Sequence, residues 1–315
     1  MSPPHKDDQT WLEGCPMRLR APLLRCAHGE TPPNVVLMQL LTNAADSAEA
    51  EAALARALDA LQTAGSGPSA GAVPLSEALA LARANPQAFT IVKETLRGVE
   101  HEGGAATPEE GVTHWAAVFD RAARTSPEGS VALYALGNPD LLQAATGEVV
   151  AKMRHWGLLG TGRNVLEIGC GIGRFQAALA CEVGSAVGID ISGAMIAAAQ
   201  QRCAGLPNVR VLQSSGQDLS LFPDSSFDLV FAADSFPYLV QSGMSLVERH
   251  FDEAARVLKP FGHFLILNFS YRDDPDVDRA DIARLASRAG FSVLRDGTRD
   301  FTLWDGLTFH LARTS

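Results

Sequence analysis

No run of 18 consecutive apolar residues occurs in the sequence, so it predicts no membrane-spanning helix and no membrane partner. Positive charge is in short supply: 26 Lys and Arg stand against 36 Asp and Glu, for a net charge of −10. Nucleic-acid backbones are bound through a basic face, and this balance argues against such a partner. Cysteine is sparse as well. Cys15, Cys26, Cys170, Cys181 and Cys203 form no Cys-x-x-Cys pair and no zinc spacing, which predicts reduced thiols and no metal site. Met1 to Asp8 is polar and has no signal-peptide core, so the expected location is cytoplasmic.

What the chain does have is apolar content of 46% and a length of 315 residues, enough for two packed domains. Residues 1–33 hold several prolines and no sustained period. From Asn34 a helical pattern begins: Val35 to Leu41, then Ser47 to Ala64 with Leu54, Leu58 and Leu61 on one face. A Gly- and Ser-rich connector over 65–71 separates these from helices expected over Leu75–Ala84 and Pro86–Val99. The pattern breaks at 101–108, which sets an expected boundary between an all-α accessory domain, 1–105, and a second domain, 106–315. The apolar faces around Leu37, Leu41, Leu54 and Leu58 need a covering surface, expected to be a second copy in a homodimer or the wall of a substrate pocket. Val112 to Arg124 is amphipathic, with Trp115, Val118 and Phe119 on its buried side, and a further helix ends near Trp156.

The chemistry starts at Asn164-Val165-Leu166-Glu167-Ile168-Gly169-Cys170-Gly171-Ile172-Gly173-Arg174-Phe175. The apolar run predicts a short buried parallel strand, and the glycines predict a turn where backbone approaches a ligand closely. A helical period follows, so the glycines sit between strand and helix, where ligands of open α/β sheets bind. The pattern is Glu-x-Gly-x-Gly-x-Gly rather than the Gly-x-Gly-x-x-Gly of dinucleotide sites, with Arg174 where the latter needs glycine. A second strand, Ala186 to Asp190, ends in an acid 23 residues after Glu167, where a carboxylate can accept two ribose hydroxyls. Further strands are expected at Val209–Leu212, Phe291–Leu294 and Leu307–Leu311, the last two as an antiparallel pair.

These motifs resemble the class I S-adenosylmethionine (SAM)-dependent methyltransferases of small-molecule type, over about Val112 to Ser315. The resemblance implies a Rossmann-like α/β fold, a seven-stranded mostly parallel sheet with an antiparallel last strand, preceded by lid helices over 112–157. It implies SAM as cofactor and S-adenosylhomocysteine (SAH) as product. The cofactor residues it implies are Glu167, Gly169, Cys170, Gly171 and Gly173 at the first turn, Asp190 and Ile191 at the second strand's end, and Ser215, Gly216, Gln217 and Asp234 on later loops. Ser215 stands where the family commonly has an acid, which shifts adenine recognition toward Gln217, Asp218 or the backbone near Gly216. Tyr134, in the lid-like segment, is a candidate to cover the sulfonium, or else a packed core tyrosine.

Methyl transfer needs a base only when the acceptor carries a proton that must leave. Asp234, Tyr238 and Tyr271 are the catalytic candidates by position, and Asn268 and Arg272 the candidate substrate residues. Asp234-Ser235-Phe236-Pro237-Tyr238 has one proline and an extra residue relative to the Asp/Asn-Pro-Pro-Tyr/Phe motif of amino-directed methyltransferases. His114, His263 and His310 are weighed as structural. The expected acceptor is a small polar, amino-acid-like metabolite, methylated on nitrogen, oxygen or sulfur. Two other readings stay open, a non-catalytic SAM-binding protein and a protein or nucleic-acid methyltransferase.

Overall fold

The computed structural model describes residues 10–64, 70–97 and 107–314. Residues 65–69 of the expected connector and most of the break at 101–108 lie outside these. The chain divides into two compact units, one of Met1–Arg97, Ala132–Ala145 and Thr302–Asp305, the other of Gly98–Val131, Thr146–Phe301 and Gly306–Ser315. Two later segments, Ala132–Ala145 and Thr302–Asp305, thus return to the helical unit. No local pattern signals that return, because it depends on which surface those segments meet.

The helical unit opens with a 3-10 turn at Thr10–Leu12, followed by α1 (Met17–Ala27), α2 (Pro33–Asn43), α3 (Ser47–Ala64), α4 (Ala72–Ala84) and α5 (Ala88–Leu96). Helix α1 forms where no sustained period was expected. Leu19, Leu23 and Cys26 lie at i, i+4 and i+7, and all three are fully buried on one face. Pro33 sits in the first turn of α2, where its missing N–H costs nothing. Leu37, Leu41 and Leu54 bury against one another with Leu58 packed beside them. Each such leucine contributes roughly 1.5–3 kcal/mol. The faces that seemed to need an outside partner are thus covered within the unit.

The sheet unit begins with α6 (Pro108–Thr125) and α7 (Pro127–Val131), and resumes at Thr146 within α8 (Pro139–His155). Thr107 caps α6 by accepting the Glu110 N–H, with Pro108 at the first helical position, a Thr-x-x-Glu box. Then come β1 (Gly160–Ile168), α9 (Arg174–Leu179), β2 (Val183–Asp190), α10 (Gly193–Arg202), β3 (Val209–Gln213), β4 (Phe227–Ala233), α11 (Phe236–Ser242), α12 (Met244–Val257), β5 (Leu258–Leu267), α13 (Pro275–Ala289), β6 (Phe291–Thr298) and β7 (Thr308–Arg313). The strand order is β3-β2-β1-β4-β5-β7-β6. Strands β1 to β5 pair in parallel, and β7 runs antiparallel to both β5 and β6. The expected Rossmann-like sheet is present. Its order reverses between β1 and β4, which opens a crevice at their carboxyl ends. Leu229 to Ala232 and Phe264 to Leu267 are fully buried, as strands covered on both faces require. At the opposite end Asp228 accepts the Asn164 N–H and pairs with Lys259 at 2.8 Å, a structural role. Among the described residues no helix is long and apolar enough to cross a membrane.

Candidate cofactor and acceptor site

The turn after β1 is held to β2, since the N–H groups of Gly169 and Cys170 both donate to the Ile189 carbonyl at 2.8 and 2.9 Å. Gly169 and Gly171 have φ of 76° and 51°, a region that side chains strain to enter. A Cβ on Gly169 would lie 2.4 Å from Ser235 Cβ, and one on Gly171 would lie 2.5 Å from Val131 Cγ1. Gly173 starts α9. Cys170 is buried, and that burial holds its thiol well above the usual range, so it is no nucleophile. Glu167 is 2% exposed and accepts from Gln176 Nε2 at 2.7 Å. Desolvation pushes its pKa up to about 8 against the opposing pull of Gln176 and Arg174.

Asp190 stands across from the turn. Its Oδ2 accepts the Gly171 N–H at 2.8 Å and its Oδ1 the Ser192 N–H at 2.9 Å. Burial raises its pKa, and the N–H groups of Ser192, Gly171 and Ile191 oppose the rise. A carboxylate offers about four lone-pair sites, so acceptor capacity is left for hydroxyls. Ile191 packs on Gly216, where a Cβ would come within 2.5 Å of Ile191 Cγ2 and 2.9 Å of Val112 Cγ1. Ser215 is exposed and its hydroxyl accepts the Gln217 N–H at 3.2 Å, while Gln217 Oε1 accepts from Arg249 at 3.4 Å.

Sequence reasoning missed Asp120. From α6 it accepts from Ser192 Oγ at 2.5 Å and from Ala194 N at 3.0 Å, tying α6 to the first turn of α10. Nothing in the local pattern marks it, because both partners lie more than 70 residues away. Asp120→Ala should lower unfolding free energy by about 1–3 kcal/mol, since it leaves the Ala194 donor without its acceptor. Chemical denaturation checks this, and an unchanged midpoint would remove the tie.

On the other side of the crevice, Asp234 and Asn268 end β4 and β5 in the left-handed region, with φ of 61° and 67°. Asp and Asn are the non-glycine residues that tolerate this conformation best. Their N–H groups donate to Leu267 O at 2.9 Å and Leu307 O at 2.8 Å. The two side chains then meet: Asn268 Nδ2 and Tyr271 Oη both donate to Asp234 Oδ1, at 2.8 and 2.9 Å. Tyr238 and Tyr271 hydroxyls lie 3.4 Å apart. Ser235 Oγ donates to the Ile168 carbonyl at 2.6 Å, which ties this cluster to the glycine turn.

Two expected residues are committed to other partners. Arg272 binds Asp278 at 2.7 Å and Asp281 at 2.8 Å, both on α13, with its guanidinium over the Phe269 ring. Those carboxylates occupy the guanidinium that the sequence offered as a substrate group. Tyr134 belongs to the helical unit, 4% exposed, with its ring stacked on Trp304 at 5.9 Å and its carbonyl accepting from Asn34. His263 and His310 bond each other across β5 and β7 at 3.0 Å, and burial together with His263 pushes the His310 pKa down to about 4.

Residues 166–266 match a family described as a methyltransferase domain. The chain carries a class I SAM-dependent methyltransferase domain. It is 33% identical over 147 residues to a demethylmenaquinone methyltransferase of Clavibacter sepedonicus, covering 47% of this chain and 55% of that one. It is 31% identical over 150 residues to phosphoethanolamine N-methyltransferase 1 of Arabidopsis thaliana, covering 47% of this chain and 28% of the other. The chain thus spans about half or less of the relatives it matches. In structure it is similar to phosphoethanolamine N-methyltransferase 1 of Haemonchus contortus in complex with phosphoethanolamine and SAH, with TM-score 0.50 and 17% identity over 67% of this chain and 50% of that one. That likeness is one of fold.

SAM is the cofactor of this domain, and the residues present fit it. The methyltransferase turn has no room for a Cβ at Gly169 or Gly171, and Asp190 faces it with acceptor capacity to spare. The Asp234, Asn268 and Tyr271 cluster stands on the neighbouring strand ends.

Proposed function

We propose that this protein transfers the methyl group of SAM to a small polar acceptor held at the carboxyl ends of β4 and β5. The observation that supports this most is the Asp234, Asn268 and Tyr271 cluster, joined to the glycine turn through Ser235. Bound SAM supplies an already activated methyl on a sulfonium. The residues of this chain would bind and orient it: Gly169 to Gly173 would hold its methionine part, and Asp190 would accept from its ribose hydroxyls. Gly216 and Ile191, with Ser215 and Gln217, would hold its adenine. Asn268 and Tyr271 fix Asp234, which takes the proton when the acceptor carries one. Holding acceptor and methyl in line supplies several kcal/mol of the barrier by positioning alone.

The test uses the full chain. SAH should bind in calorimetry, and labelled SAM should mark a product in a screen of pooled polar metabolites. Asp190→Ala should weaken SAH by about 1.5–3 kcal/mol, the loss of a charge-assisted acceptor. Asp234→Asn should lower methyl transfer at least tenfold with SAH affinity nearly unchanged, as for a group that acts only on the acceptor. SAH binding without turnover of any fraction would leave a cofactor-binding module in place of an enzyme.

A further inference from the structure

We infer that the acceptor is an amine, recognised as a cation by an aromatic wall in which Trp115 and Phe119 of α6 determine specificity. This rests on the methyl-transfer reading above and adds the acceptor's chemical class. Tyr238 is the hub of the wall. Its ring centroid lies 4.7 Å from Trp115, 4.8 Å from Phe119 and 5.7 Å from Tyr271, each at a steep interplanar angle. Trp115 and Phe119 are one helical turn apart on α6, so the lid helix brings both rings to one place. Tyr271 in turn reaches Asp234, so four rings and one carboxylate form a continuous chain of contacts.

The cluster is open enough to receive a ligand. Tyr271 is 45% exposed, and Tyr238 and Phe119 are half-buried. Desolvation and the nearby Asp234 carboxylate push both tyrosine pKa values far up, so both phenols stay neutral. The nearest arginine in sequence, Arg272, is turned to Asp278 and Asp281. Ring faces and a carboxylate both attract a cation. A carboxylate or phosphate acceptor would be repelled by the same groups, and an uncharged one would gain a hydrogen bond from Asp234 but no ion pair and no attraction of its charge to the rings. An amine gains from both.

The chemistry balances. An arriving ammonium gives its proton to Asp234, and the freed nitrogen lone pair forms the new N–C bond. The C–S bond breaks with its electron pair left on sulfur, so the positive charge passes from sulfur to nitrogen. A tertiary amine arrives as its ammonium, gives its single proton to Asp234 in the same way and becomes a quaternary ammonium, whose charge the rings then face.

The experiment is calorimetric titration of the SAH-saturated full chain with choline, as a quaternary ammonium probe, and with its neutral carbon isostere 3,3-dimethylbutan-1-ol. Choline should bind at least tenfold more tightly than the isostere. Phe119→Leu and Trp115→Leu should each weaken choline at least fivefold with SAH affinity within twofold, and Trp115→Phe and Phe119→Tyr should retain binding. Trp115 is buried, so thermal unfolding of each variant is recorded, and the half-buried Phe119 carries the test if Trp115→Leu fails to fold. Equal binding of the isostere, no choline binding, or undiminished choline binding in Phe119→Leu, with SAH bound normally, overturns the amine assignment alone. Failure of the wild-type chain to bind SAH removes the methyl-transfer reading, and this inference with it.

Discussion

Gly169→Ala should abolish measurable SAH binding and remove about 2–5 kcal/mol of folding stability. Two costs add. Alanine at φ 76° enters the left-handed region, at about 1–2 kcal/mol. Its Cβ also falls 2.4 Å from Ser235 Cβ, where overpacking adds about 1–3 kcal/mol. Relief requires Ser235 to move, and with it the hydroxyl bonded at 2.6 Å to the Ile168 carbonyl, so the turn and the Asp234 loop shift together. Two controls separate the terms. Gly205 has φ 85° and nothing within 4 Å of a built Cβ, so Gly205→Ala bears only the backbone cost. Gly147, in α8 with open space around it, should gain about 0.5–1 kcal/mol on mutation to alanine. Denaturation midpoints and SAH titrations of the three variants decide the matter. Equal losses at Gly169 and Gly205 would mean that the Ser235 contact counts for nothing.

Glu167 should make the protein less stable as pH rises from about 4.5 to 8. Its folded pKa of about 8 lies above the ordinary value of 4.5, because burial disfavours the ionised form. Between those values the unfolded chain has released the proton and the folded chain still holds it. The folded state binds more protons, so unfolding free energy falls with rising pH through this window and levels off above it. At 1.36 kcal/mol per unit the full effect is roughly 3–5 kcal/mol. Glu167→Gln keeps the size and an acceptor for Gln176 but cannot ionise. The variant should match the wild type near pH 4 and exceed it by several kcal/mol at pH 8.5. Urea denaturation at pH steps from 4 to 9 measures this directly. Parallel profiles for the two proteins would show that Glu167 ionises normally in the fold.

The sequence by itself determined the sheet, the glycine turn and the placement of Asp190. These depend on neighbours along the chain: apolar runs that suit buried strands, glycines that suit positive φ, and a strand whose last residue is an acid. The caps at Thr107 and Ser192 are equally local. Helix α1 was the local miss, because Pro22 and flanking prolines hid a face that closes against α2, α3 and α4. Tertiary structure alone decided which side chains share a partner. Asp234, Asn268 and Tyr271 converge from 34 and 37 residues apart. Asp120 reaches α10 across 72. Arg272 was legible as a charge near the site, but its pairing depends on where α13 sets Asp278 and Asp281. Tyr134 was legible as an aromatic in a lid-like segment, and its stacking on Trp304 requires residues 170 positions away. Backbone conformation answers to adjacent residues, whereas a side chain's partner is chosen through space by packing that no short window contains.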